Sequence, residues 1–419
     1  MFTSRLTPSD VLMVWHTHML NPRAYLEDSI LYGFRHLWAS GMPWELVHKV
    51  IDTNFSYNVS DETKAQWVAK TGRAWENADD PLVKDMSCPR CGTHLQVPWT
   101  TCSRPEDIQW EGVTPDLIGN GYGDGNLQYA CANCGIMICK ELLCVSKFVA
   151  DARCLIGPDN RPMPGTVLDP LTGRPEPLTG NSSQKLRQPR TFPNRLLKSG
   201  CNSIRTKIVD LITSGPAQPT MQHVRTEIEK IVADRNLVRA VDGLAWAPGT
   251  NKYRLPPKSR VCVRKMMSRY WDNFSPFALD LCAAVMRQGI FAEKMAKLDW
   301  LHSPTARATM DRLLIKYDRF ITLMAENPKH VAVPTLDIDL AWHTSQLSPV
   351  SYYDATVAKT SRFIDHDDKI DEDALSTHFE WTSKAYQDKY GEVYSECTCW
   401  YCEGLSLSAA HDGNTSEDI

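Results

Sequence analysis

Asp10-Val-Leu-Met-Val-Trp-His-Thr-His-Met-Leu-Asn-Pro-Arg-Ala-Tyr25 reads as the close of one helix, a tight turn and the opening of the next. The chain repeats it, without gaps, as Asp337-Ile-Asp-Leu-Ala-Trp-His-Thr-Ser-Gln-Leu-Ser-Pro-Val-Ser-Tyr352. Asp, Trp, His, Thr, Leu, Pro and Tyr fall at the same offsets in both copies, and Trp and His are rare residues. The pattern predicts a duplicated helical-hairpin unit. Asp10 and Asp337 complement the positive end of the first helix. Trp15 and Trp342 anchor a core, and their indole N–H groups need partners. Leu-x-Pro turns the chain into a second helix, on which proline takes the first position and Tyr25 and Tyr352 follow.

Helical periodicity extends outward from both copies. Residues 8–75 read as helical. Further helices are expected over 196–214, 220–235, 259–272, 276–301, 305–327, 336–347, 349–363 and 373–390, with Ser275-Pro276 and Ser303-Pro304 as helix starts. Between these regions, residues 85–155 change to paired cysteines, short turns and the loop Gly119-Asn-Gly-Tyr-Gly-Asp-Gly125, which reads as flexible. Eight prolines then lie between Gly157 and Pro193, marking an extended linker or a long ordered loop. The expected division is a first hairpin region (1–80), a cysteine module (85–155), the Pro/Gly-rich stretch (156–194), a second helical region (195–403) and a disordered tail (404–419).

Composition sets the class. The 419 residues carry a formal net charge of −4, with 42 % hydrophobic and 23 % charged residues. Such a chain is globular, neither disordered nor collagen-like, and is no general nucleic-acid coat. Met1–Asp10 lacks the apolar core of a signal peptide, and no apolar run is long enough to span a membrane. A cytoplasmic or nuclear location is expected, so the fourteen cysteines read first as thiols and metal ligands, not as a disulfide framework.

Their spacing divides them. Cys88-Pro-Arg-Cys91-Gly and Cys131-Ala-Asn-Cys134-Gly are two Cys-x-x-Cys-Gly knuckles, and four thiolates make a closed tetrahedral zinc site with no open position. The helix expected over Ile136–Phe148 suggests a treble-clef variant over a plain zinc ribbon, with Cys139 and Cys144 in the helix core. Cys397-Thr-Cys399-Trp-Tyr-Cys402 offers three more thiols. With His378, His411 or a distant residue as fourth ligand it holds a second zinc; otherwise it is a redox pair or a set of unligated thiols. Cys102, Cys154, Cys201, Cys262 and Cys282 are isolated and read as core residues.

His16 and His343 allow two readings: hydrogen-bonding histidines that lock the hairpins, or ligands and acid–base groups. His18 would pair with His16 as a His-x-His ligand set, but the second copy has Ser345 there. The chain has no His-Glu-x-x-His, deaminase, Gly-x-Ser-x-Gly or Walker signature.

Together the two Trp-His-Thr hairpins, the Cys-Pro-x-Cys-Gly module with Val97-Pro-Trp-Thr100, and the Cys-x-Cys-Trp-Tyr-Cys ending resemble the glycine-rich domain-containing protein-like family, especially its fungal members. Arg269-Tyr-Trp-Asp-Asn-Phe-Ser-Pro-Phe-Ala-Leu-Asp280 and Asp299-Trp-Leu-His-Ser-Pro304 are similar to family blocks. The resemblance touches Trp15, His16, His18, Pro22, Trp342, His343, Pro349 and the cysteine clusters. Against that pattern the chain is short at its amino terminus, has Ser345 for a second histidine and carries no glycine-rich tail. It therefore reads as an incomplete gene product or a shortened paralogue. The resemblance implies links to stress and developmental responses in plants, with RNA binding proposed, and supplies no reaction.

The expected protein is thus mainly α, with two related multi-helix regions and a small α+β zinc module inserted between them. The favoured function is a zinc-stabilised scaffold binding protein or RNA, with no DNA-specific motif and no membrane partner. The alternative is a metal-dependent enzyme using His16, His18 and His343, with Asp10 or Asp337, between the two hairpins.

Overall fold

The computed structural model describes residues 6–102, 119–175, 188–199, 202–216, 218–242, 255–366, 372–397, 399 and 402. It is mainly helical, with two small two-stranded antiparallel sheets. Contacts divide the chain into two compact units, each discontinuous in sequence. The first takes the residues up to Gln66, Leu171–Arg174 and everything from Leu281; the second takes Trp67–Pro170 and Pro175–Asp280. No helix among the described residues is long and apolar enough to cross a membrane.

In the first unit, α1 (Ser9–Met19) and α2 (Pro22–Tyr32) form the expected hairpin. Pro22 occupies the first position of α2, where its missing N–H costs no hydrogen bond, and Gly33 ends the helix at φ +74°. Short helices α3 (Arg35–Ser40) and α4 (Trp44–Val50) follow. Met19, Leu20, Tyr25 and Met42 form a core with Leu347. The Met42 N–H donates to the Leu347 carbonyl at 2.9 Å. Gly41, at φ +59°, permits this approach: a Cβ there would stand 2.6 Å from the Leu347 oxygen.

The second unit contains a cysteine module and a helical core. Strands β1 (Val83–Ser87) and β2 (His94–Pro98) pair antiparallel, as do β3 (Tyr129–Ala130) and β4 (Met137–Ile138). Helix α5 (Asp61–Thr71) precedes the strands and α6 (Lys140–Ile156) follows them. The strand at Met137–Ile138 shortens the helix expected from Ile136, and Cys139 becomes its N-cap instead of a core residue, its Sγ accepting the Leu142 N–H at 3.5 Å. Cys144 is buried as expected. Against α6 pack α7 (Phe192–Ser199), α8 (Asn202–Thr213) and α9 (Met221–Ala233), while α10 (Arg235–Val241) and α11 (Pro257–Ser268) pack on α7. Phe148, Val145, Met163, Leu197, Val224, Ile228, Met266 and Tyr270 fill the core. Within it Asp151 accepts from Tyr270 Oη at 2.9 Å and from Arg161 at 3.1 Å. Met163–Leu168, inside the proline-rich stretch, is buried, and its Met163 N–H donates to Asn194 Oδ1 at 2.9 Å.

The remaining helices return to the first unit: α12 (Leu281–Leu298), α13 (Ala306–Glu326), α14 (Leu336–Gln346), α15 (Pro349–Thr360) and α16 (Glu372–Tyr390). Two expected helix starts are corrected. The helix expected from Pro276 begins at Leu281, because Ser275 Oγ is spent in a loop, donating to Asn273 Oδ1 at 2.8 Å. The helix expected at Ser303-Pro304 begins at Ala306; Ser303 Oγ instead accepts the Thr305 N–H at 3.2 Å. In the glycine loop Asp124 accepts from the N–H groups of Thr101 at 2.9 Å and Gly121 at 2.7 Å, which ties the segment into a turn. The expected tail 404–419 and Cys201 lie outside the described residues.

Candidate metal centres

The two knuckles are built alike from the backbone up. Cys88–Cys91 sits in the turn from β1 to β2, and Cys131–Cys134 in the turn from β3 to β4. The Cys88 N–H donates to Thr93 O at 2.8 Å, and the Cys131 N–H to Ile136 O at 3.0 Å. Gly92 and Gly135, at φ +73° and +70°, return their N–H groups to the carbonyls of Cys88 and Cys131. Glycine takes that left-handed conformation at no steric cost, which suits it to the end of each motif.

All four Sγ atoms lie within 4.8 Å of one another. Cys88 and Cys134 stand 3.7 Å apart, and Cys91 and Cys131 3.6 Å. Four sulfurs each about 2.3 Å from one tetrahedral ion would be about 3.8 Å apart, so the donor set fits a metal ion. Hydrogen bonds from the Thr93 and Asn133 side chains hold the Cys91 thiol down to about 5, and the Cys134 backbone does the same in direction for Cys131. Burial pushes Cys88 up to about 12. Both knuckles lie at strand turns and α6 supplies no Sγ to the group, which is a ribbon arrangement.

Cys397, Cys399 and Cys402 also converge within 4.8 Å, with the first two Sγ atoms 3.5 Å apart. Among the described residues no fourth donor joins them: His378 is not in the group, and His411 lies outside the described residues. Both cysteine clusters could hold a metal ion. The isolated thiols divide: Cys262 is buried, Cys102 and Cys154 are half-buried, and Cys282 is exposed on α12, contrary to a core role.

In the hairpins, Trp15 Nε1 donates to Tyr25 Oη at 3.1 Å and Trp342 Nε1 to Tyr352 Oη at 2.8 Å. The shared Trp and Tyr are therefore one hydrogen-bonded pair, made twice. Tyr352 Oη passes the bond on to the Ile364 carbonyl at 3.2 Å. Burial pushes the Tyr25 hydroxyl up to about 12. The aspartates diverge. Asp10 caps locally, accepting the Val11 N–H at 2.8 Å, whereas Asp337 is fully buried against Lys316.

The histidines diverge as well. His18 is buried with its Nε2 2.9 Å from Asp28 Oδ2. The second copy lacks both partners, having Ser345 and Ala355 at those offsets. His16 is half-buried, and burial lowers its basicity. His343 meets neither of them in a metal-capable group; it joins Asp339 and His366. The set His16, His18 and His343 is therefore not assembled at one point. Asp339 and His366 were not evident from the repeat, since the first copy has Leu12 and Ala39 at those offsets. The one available signal was Asp339-x-x-x-His343, whose spacing puts both side chains on one helix face.

The sequence profile of the glycine-rich domain-containing protein-like family matches residues 250–355. Glycine-rich domain-containing protein 1 of Arabidopsis thaliana is 35 % identical over 125 residues, 27 % of this chain and 14 % of that protein. Glycine-rich domain-containing protein 2 of the same plant is 31 % identical over 149 residues, 33 % of this chain and 17 % of that protein. The alignments thus span under a fifth of either relative. No solved structure matches the chain. Through residues 250–355, which contain α14 and run into α15 past Tyr352, this chain is similar to the glycine-rich domain-containing protein-like family.

Proposed function

We propose that the protein is a zinc-stabilised helical interaction scaffold whose partner is protein or RNA, and that its two hairpins arose by duplication. The observation that carries this reading is the four-sulfur set of Cys88, Cys91, Cys131 and Cys134, whose spacing suits a tetrahedral ion. Four thiolates fill the coordination sphere of zinc and leave no position for water or substrate, so such an ion organises structure and performs no chemistry. Duplication is supported by the Trp–Tyr bond common to both hairpins.

The helices around the module extend the same logic. The Arg90 guanidinium, between the two cysteines of the first knuckle, donates to the carbonyls of Ile212 at 2.8 Å and Pro216 at 3.1 Å. Metal binding would fix the knuckle and, through Arg90, the end of α8. Zinc affinity then becomes folding free energy of the second unit.

Metal analysis of the purified chain, followed by chelation, tests the zinc claim. Bound zinc and a loss of helical signal on chelation are expected; a zinc-free, fully folded protein would overturn the reading. Ultraviolet crosslinking to RNA and affinity recovery of protein partners, run in parallel, separate the two partner classes. Recovery of neither would remove the scaffold role.

A further inference from the structure

The geometry points to a second kind of metal site in the first unit, formed by Asp339, His343 and His366 at the edge of a cleft. It is independent of the four-thiolate centre. His343 Nε2 and His366 Nε2 lie 3.2 Å apart, and Asp339 Oδ1 stands 3.4 Å from the first and 3.2 Å from the second.

This triangle is poorly explained by protons. A closed ring of three hydrogen bonds requires each corner both to give and to accept, and a single imidazole nitrogen does only one of these. With one Nε2 protonated, the other presents a lone pair to the carboxylate. With both protonated, the two N–H groups face each other. A cation at the centre satisfies all three corners together. Donors about 2.0–2.1 Å from one ion would be about 3.0 Å apart in an octahedral arrangement and about 3.4 Å in a tetrahedral one, which brackets the observed edges.

The surroundings hold the donors in place. Asp339 and His343 rise from successive turns of α14. The His343 ring packs edge-on to Phe291, with centroids 4.5 Å apart, and the His366 ring packs edge-on to Trp342 at 5.0 Å. The His343 and Asp339 side chains are 6 % and 17 % exposed, so the site is nearly buried and yet reachable. Asp339 also lines a cleft of about 570 Å³ with Lys294, Thr335, Ser376 and Glu396. Two imidazoles and one carboxylate suit a divalent first-row ion and leave positions for water or an oxygen-donor ligand.

Equilibrium dialysis of the purified full chain against micromolar Co(II), with metals counted by mass spectrometry and the visible spectrum recorded, tests the site. Expected is one Co(II) per chain beyond any ion that the cysteine clusters take up, with weak d–d bands and no sulfur-to-cobalt charge transfer of its own. Affinity for that ion should fall at least about tenfold in both His366→Ala and Asp339→Asn, with thiolate-bound metal and circular dichroism unchanged. The proposal is overturned if the chain takes up no such ion, if uptake brings only charge-transfer bands, or if both variants bind as the unaltered chain does. Asp339→Asn keeps the side chain's shape, so its folded state separates lost ligation from lost structure.

Discussion

Replacing Lys316 by Met isolates the strongest electrostatic contrast between the two hairpins. Asp337 is fully buried, and its carboxylate accepts from Lys316 Nζ, Thr335 Oγ1 and, at 2.9 Å, the Ile338 N–H. Burial alone would push this carboxyl up. The Lys316 charge and hydrogen bond outweigh it, with Thr335 and Ile338, and hold it below the usual carboxylate range. Removing one partner of a buried pair costs roughly 3–5 kcal/mol, because the other charge is left stranded. Arg312, 3.8 Å from Asp337, remains as a partial substitute, which places the cost at about 3 kcal/mol. For a unit of this size that lowers the melting temperature by about 6–12 °C.

The pH dependence supplies the decisive sign. In the unaltered protein the depressed carboxyl contributes stability above its unfolded value of about 3.9, which is lost only as pH falls through the lower folded value. In Lys316→Met burial dominates, the folded value rises above the unfolded one, and the penalty is full at high pH. As pH falls through the raised value, the gap between the two proteins should narrow by about 1.4 kcal/mol per unit. Urea unfolding from pH 8 to pH 5, followed by circular dichroism, reads this directly. A gap below about 0.5 kcal/mol, or one that widens toward acid, would refute the reasoning.

Three further outcomes follow from the same geometry. Tyr352→Phe strands the buried Trp342 N–H and should cost about 1–3 kcal/mol in denaturant titration, with a smaller loss for Tyr25→Phe, whose Trp15 partner is only half-buried. Gly41→Ala forces a Cβ against the Leu347 carbonyl at a backbone conformation that only glycine tolerates, and should cost about 2 kcal/mol or more by thermal melt. Cys139→Ser keeps an N-cap oxygen for Leu142, so bound metal measured by mass spectrometry should stay unchanged.

The hairpins and the knuckles were legible because each is local. The repeat joined by Leu-x-Pro specifies two helices and a turn within sixteen residues, and Cys-x-x-Cys-Gly specifies a turn with converging thiols. Helix starts were misread where a serine that could cap a helix was used by a loop, as at Ser275 beside Asn273. Long-range partners left no local trace. Lys316 and Asp337 are 21 residues apart, and only packing of α13 on α14 selects that lysine among many. His366 joins His343 from a segment beyond α15, where no periodicity marks it. The interleaving of the two units is of the same kind, since helix patterns carry no record of which distant helix covers them.

One comparison tests the four thiols of the second unit most directly. Zinc per chain, measured by mass spectrometry on the purified protein and on Cys131→Ser, should differ by one ion, with the variant losing helical signal as well. An equal zinc content in both proteins would contradict the account.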